Sequence, residues 1–94
     1  MPAYIIARID VTDPEDYAAY ARQTVALAES FGGRFLVKGG AQTVVEGDAS
    51  ARQVVVEFPD VETARAWYDS PGYQAILPIA LRASKRDLVI VEGA

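Results

Sequence analysis

The chain has 94 residues, 51% of them apolar and 23% charged, the balance of a single globular domain over residues 1–94 rather than of a disordered segment. Its 13 acidic side chains outnumber 9 scattered basic ones, for a net charge of -4, which argues against a nucleic-acid surface built from clustered Lys and Arg. It contains neither histidine nor cysteine, so the commonest general base, thiol nucleophiles and the usual transition-metal ligands are absent.

The longest apolar runs, such as Val54-Val55-Val56, fall far short of the roughly 20 residues of a membrane span. The start, Met1-Pro2-Ala3-Tyr4, lacks the basic and apolar regions of a signal peptide, and a cytosolic location is expected. So small a domain buries a modest fraction of its surface, which favours a homodimer that covers a second apolar face.

In chain order, Tyr4 to Val11 alternates Ile5, Ala7 and Ile9 against Tyr4, Ile6, Arg8 and Asp10, a strand with one face tolerant of polar groups. Thr12 with Glu15 fits a capping box and Pro14 suits a first helical turn. From there Tyr17, Tyr20, Ala21, Thr24, Leu27, Ala28 and Phe31 form one apolar stripe of an amphipathic helix, which Gly32-Gly33 ends.

Gly33 to Gly47 reads as strand interrupted at Gly39-Gly40, either by a bulge, the preferred reading, or by a hairpin turn; Gly47 to Ser50 is the expected hairpin loop. Arg52 to Pro59 sets Val54, Val56 and Phe58 against Gln53, Val55 and Glu57 in a further strand. Asp60 caps a helix running to Ser70, with Arg65 and Asp69 spaced as an i,i+4 pair. Ser70-Pro71-Gly72 restarts a less regular helical stretch to about Ala83, broken at Pro78. The link Ser84-Lys85-Arg86 then leads to a last strand, Asp87 to Glu92. The order β-α-β-β-α-β predicts an α+β, ferredoxin-like fold: a four-stranded antiparallel sheet with helices on one face.

Few residues carry chemistry. Arg8 and Glu57 share the polar parity of two neighbouring strands, and are expected to meet as a pair that orients an anion or shifts the acid's pKa; an ion pair at a dimer interface is the plainer account. Trp67, Tyr68 and Tyr73, with Tyr17 and Tyr20, supply aromatic surface that either packs the core or lines an apolar pocket with a free OH or NH, Tyr73 being the candidate for proton transfer. Arg82 is either a carboxylate anchor or a solvated helix-end cation. Gly39-Gly40 meets no phosphate-loop pattern, and Glu46, Asp48 and Glu92 have no calcium-loop spacing, so no metal and no cofactor is expected.

The segments GGRFLVKGG (Gly32 to Gly40), VVEG (Val44 to Gly47), VVVEFPDVETARAWYDSPGYQ (Val54 to Gln74) and DLVIVEG (Asp87 to Gly93) resemble the bacterial family known as domain of unknown function 1330. The resemblance implies a dimeric α/β barrel, in which two ferredoxin-like sheets pack face to face and each subunit keeps a cleft between helices and sheet. The wider superfamily includes cofactor-independent oxygenases, haem-degrading enzymes, lactone isomerases and chlorite-processing enzymes, beside sensing and binding domains. Without histidine, only tyrosine is left as a haem ligand, which disfavours haem. Two classes follow: a cofactor-independent enzyme, oxygenase- or isomerase-like, acting on a small apolar or anionic molecule, and a non-catalytic dimeric ligand-binding or interaction domain. An enclosed helix-to-sheet cavity with Arg or Glu pointing inward favours the first; a cleft filled by Trp67 and Tyr73 favours the second.

Overall fold

The computed structural model describes residues 1–94. The elements are β1 (Ala3–Val11), α1 (Pro14–Glu29), β2 (Arg34–Lys38), β3 (Arg52–Phe58), α2 (Val61–Asp69), α3 (Pro71–Ala83) and β4 (Ser84–Glu92). The strands form one sheet in the order β2-β3-β1-β4, every neighbouring pair antiparallel. Two split β-α-β units are thereby interleaved, and the ferredoxin-like α+β expectation holds. No helix is long and apolar enough to cross a membrane.

Strand alternation sorts the two faces of the sheet as the sequence predicts. Ile5, Ala7 and Ile9 of β1, with Val54, Val56 and Phe58 of β3, are buried under the helices together with Tyr17, Tyr20 and Ala28 of α1 and Trp67 of α2. On the opposite face, register aligns Val89, Ile6, Val55 and Val37 in one apolar row across all four strands. Val37, Val89 and Val91 there are 41%, 48% and 44% exposed. Polar rows flank it: Val91, Tyr4, Glu57 and Arg34 on one side, Asp87, Arg8 and Gln53 on the other.

Helix ends follow local chemistry. Asp13, not Thr12, caps α1, accepting from the Asp16 backbone N–H; the Thr12 and Asp13 backbone N–H groups instead both donate to the Ala83 carbonyl, which ties the β1–α1 and α3–β4 junctions together. Gly32, at φ 78°, makes the left-handed turn after α1. Asp60 caps α2 through the Thr63 N–H at 2.7 Å, a bond that holds its carboxyl below the usual value, and Arg65 meets Asp69 at 3.0 Å as expected. Ser70 serves two helices at once: its Oγ donates to the Trp67 carbonyl and accepts from the Tyr73 N–H, so the end of α2 and the start of α3 share one residue. Pro78 removes one N–H donor without breaking α3, which runs unbroken from Pro71 to Ala83.

Two further expectations are corrected. Gly39-Gly40 is neither a bulge in a long strand nor a hairpin turn: β2 stops at Lys38, and Gly39–Ala51 crosses to β3 without strand structure. Val44 and Val45 have strand-forming side chains, but β3 begins only at Arg52 and leaves them no partner. The bulge lies earlier, between Phe35 and Val37, where Leu36 is the extra residue. The supposed link Ser84-Lys85-Arg86 is the first third of β4, because the Ser84 Oγ bonds back to the Ala80 carbonyl and turns the chain directly from helix to strand.

Candidate functional site

A cleft lies between α1 and the inner face of the sheet, bounded by Tyr17, Tyr20, Ala21 and Thr24 from above, Trp67 at one wall and inward residues of all four strands below. Eleven of its fifteen lining residues are hydrophobic; the polar ones that decide its chemistry are Lys38, Arg52 and Arg86. Its cavity volume is about 40 Å3, and the space reaches about 460 Å3 with the open mouth included.

Register explains why the cations converge. Arg52 on β3 and Arg86 on β4 are both direct partners of Ile9 on the central strand β1, one on each side. Adjacent antiparallel strands place paired Cα atoms ~4.5–5.5 Å apart, so the two arginines start about 10 Å from each other on the same face. Lys38 sits opposite Val54, two residues along β3 from Arg52.

The charge distribution is one-sided. Arg8, Arg34, Arg65 and Arg82 pair with Asp87, Glu57, Asp69 and Asp16 outside the cleft. Three of the remaining five basic side chains line the cleft, and none of the 13 acidic residues does. In a chain of net charge -4, three of the five cations without carboxylate partners are thus gathered at one cavity.

Arg86 holds two phenols. Its Nη1 donates to Tyr20 Oη at 3.1 Å and its Nη2 to Tyr73 Oη at 2.6 Å, while the two phenol oxygens are 2.7 Å apart. Burial works against the Arg86 charge, but the neighbouring Tyr20 and Tyr73 oxygens outweigh it and hold the guanidinium above its ordinary value. Burial, reinforced by Tyr20, pushes the Tyr73 phenol far above its ordinary value, and burial also raises Tyr17. Tyr73 is fully buried and keeps its proton at neutral pH, so it is a hydrogen-bonding group and not a base. Because its folded pKa is raised, its contribution to stability is complete below the ordinary phenol value of 10.0 and is lost as pH climbs beyond that. Chemical unfolding of wild type against Tyr73→Phe checks this: the wild type should lose stability more steeply above that pH than the variant, and parallel curves would contradict it.

Arg52 is positioned by a glycine. Gly39 has φ 69°, and a Cβ there would overlap the Arg52 Nη1 and lie 2.7 Å from its Cζ; the guanidinium therefore packs directly against the Gly39 backbone. Arg52 Cζ also stands 5.9 Å from the Tyr17 ring centroid. Two buried donors on the cleft residues lack an acceptor within the protein, the Arg52 Nε and the Trp67 indole Nε1.

Of the residues singled out in the sequence, Tyr17, Tyr20 and Trp67 line the cleft, and Tyr73 stands behind Tyr20. Tyr68 does not: it lines a second, more open groove with Arg65, Leu88 and Ile90, of which Leu88 also borders the cleft. Arg82 is on the surface, paired with Asp16 at 3.1 Å. Arg8 and Glu57 do not meet. Glu57 sits opposite Tyr4 and bonds its hydroxyl and Arg34, whereas Arg8 sits opposite Gln53 and Asp87; both lie on the open face of the sheet. Sequence reasoning missed Arg52, Arg86 and Lys38. A signal existed for the first two, since each extends the inward parity of an apolar alternation by one step, Arg52 before Val54 and Arg86 before Leu88.

The model of a family described as a domain of unknown function (DUF1330) matches residues 2–94. The chain belongs to that family. No curated protein matches it. Among solved structures it is similar to RPA0582, a protein of unknown function from Rhodopseudomonas palustris (TM-score 0.78, 18% identity, 99% of this chain and 82% of that one). It is also similar to SnoaB, a cofactor-independent oxygenase from Streptomyces nogalater (TM-score 0.66, 14% identity, 99% of this chain and 93% of that one). A dimeric protein of unknown function and ferredoxin-like fold from Bacteroides fragilis gives a TM-score of 0.63 at 14% identity, covering 98% of this chain and 96% of that one. At these identities the likeness within the DUF1330 chain is one of fold.

Proposed function

We propose that this DUF1330 protein is a cofactor-independent enzyme that binds an apolar small molecule through an oxyanion, of the phenolate or enolate kind, and stabilises that charge during reaction. The observation that carries the proposal is the cleft lining: three cations, further unpartnered donors, no carboxylate, and an apolar floor. Fixed donors aimed at a developing oxyanion in a low-dielectric site lower the energy of the ionised substrate more than water does. The cleft offers neither histidine nor carboxylate as a base, so the substrate is one acidic enough to release its proton to solvent water through the open mouth once its oxygen meets these cations. Inward arginines are the outcome that favours the enzyme over the interaction domain, and the fold is shared with one cofactor-independent oxygenase.

The test is absorbance titration of 4-nitrophenol, whose phenolate has its own spectrum. Expected is a bound phenol that ionises at lower pH than the free one, with the shift reduced in Arg52→Gln. Binding of the neutral phenol alone, or no binding, would overturn the proposal.

The working unit is a homodimer joined through the open sheet face. The apolar row Val89, Ile6, Val55 and Val37 supports this, as does the dimeric state of the Bacteroides fragilis neighbour. Sedimentation at micromolar concentration should show a dimer for the wild type and a monomer for Val55→Glu, since a charge in the centre of that row is desolvated on pairing. A wild-type monomer would rule it out.

A further inference from the structure

Three polar hydrogens are available to the contacts among Arg86, Tyr20 and Tyr73: one N–H from each Arg86 terminal nitrogen, and one phenolic proton between the two oxygens. Two phenols carry two protons, so one proton fills the Tyr20–Tyr73 bond and the other is left to point elsewhere. Which phenol keeps the free proton is decided by burial. Tyr73 has no exposed surface, and the Tyr20 oxygen is the acceptor its hydroxyl has within reach; were Tyr20 to donate instead, the Tyr73 proton would be sealed in without a partner. Tyr73 therefore donates to Tyr20.

Tyr20 then accepts two hydrogen bonds, from Arg86 and from Tyr73, and its own proton is unclaimed. Tyr20 lines the cleft and Tyr73 does not. The geometry points to Tyr20 as the group that donates a hydrogen bond directly to the oxyanion of a phenolate or enolate ligand, with Tyr73 and Arg86 as positioning residues that fix the direction of its proton. Two accepted bonds, one of them from a cation, polarise the Tyr20 O–H and make it a better donor than an isolated phenol. Tyr20 with the cations Lys38, Arg52 and Arg86 favours a ligand that presents an anionic acceptor. Ser70, which shares its Oγ between α2 and α3 and bonds the Tyr73 N–H, sets where the Tyr73 side chain begins.

This inference rests on the oxyanion reading of the cleft, and two measurements separate their failures. The first needs no ligand. In protein carrying tyrosine labelled with 13C at Cζ, dissolved in mixed H2O and D2O, a slowly exchanging hydroxyl splits its Cζ signal and a rapidly exchanging one does not. Expected is a split signal for Tyr73 and a single line for Tyr20, the resonances being assigned with Tyr20→Phe and Tyr73→Phe. The reverse pattern, or single lines at both, overturns the proton assignment.

The second measurement titrates 4-nitrophenol into wild type, Tyr20→Phe and Arg52→Gln. Loss of one hydrogen bond to a charged acceptor predicts affinity about tenfold weaker in Tyr20→Phe, with a changed absorption maximum of the bound phenolate. Wild-type affinity and spectrum in Tyr20→Phe, with binding lost in Arg52→Gln, would overturn the role of Tyr20 and leave the oxyanion reading standing. A wild type that takes no phenolate would overturn the oxyanion reading, and the ligand-contacting role of Tyr20 with it.

Discussion

Replacing Arg86 by Met is expected to weaken 4-nitrophenolate binding by roughly tenfold to a hundredfold, about 1.5–3 kcal/mol, because it removes one of the three cleft cations and the bond that directs the Tyr20 proton, while costing the fold little. The second half of this result is the informative one. Arg86 is half-buried and has no carboxylate partner; its hydrogen-bond partners are two neutral phenols, with a cation–π approach of 5.2 Å to the Tyr20 ring. As bonds from a charged donor these return about 1.5–3 kcal/mol per hydrogen bond, and the cation–π contact about 0.5–1. Set against them is the cost of withdrawing a guanidinium from water without an anion, which is several kcal/mol for a buried ion and less for one in part exposed. An unbranched apolar side chain of similar length fills the same space, and the Tyr20–Tyr73 bond survives. Because the phenol oxygens outweigh the burial penalty, the predicted stability loss is modest, about 1–2 kcal/mol, read by urea unfolding. A large loss of stability with unchanged phenolate binding would make Arg86 a structural clamp and remove the main support for the anion site.

Gly39→Ala is expected to cripple binding from outside the cleft. The left-handed conformation at φ 69° costs a non-glycine residue about 1–2 kcal/mol, and the added methyl group occupies the place of the Arg52 guanidinium. Arg52 must then swing away from the cleft. Phenolate affinity should fall to the level of Arg52→Gln, and the double variant should be no worse than the poorer single one. Such non-additivity is what a double-mutant cycle reads when one residue acts through another. Additive losses in binding would show that Gly39 matters only to the backbone.

Much of the fold is legible in the residue order. The alternations of β1 and β3, the Asp60 cap, the Arg65–Asp69 pair and the Ser70-Pro71 restart are all local rules, satisfied within a few residues, and all are present. The site is less legible because it depends on register. Parity states which face Arg8 and Glu57 occupy, but not their offset along the strands, and four residues separate Arg8 from Tyr4, the true partner of Glu57. Likewise, nothing local says that Arg52 and Arg86 flank the same residue, Ile9; that follows from two long-range pairings at once. The misread Gly39–Ala51 stretch has the same origin, since strand propensity without a neighbouring strand produces no strand.

The connection Gly39–Ala51 leaves the sheet at Lys38 and returns at Arg52, two of the three cations of the cleft, so its two ends are fastened to the doorway while its middle touches little of the core. The entropy of closing such a loop grows only slowly with length, about 0.6 kcal/mol per doubling. This stretch can therefore be lengthened, shortened or rewritten to suit differently shaped guests while Lys38 and Arg52 stay in place. Grafting other loops between these two anchors is correspondingly the gentlest way to retarget the molecule.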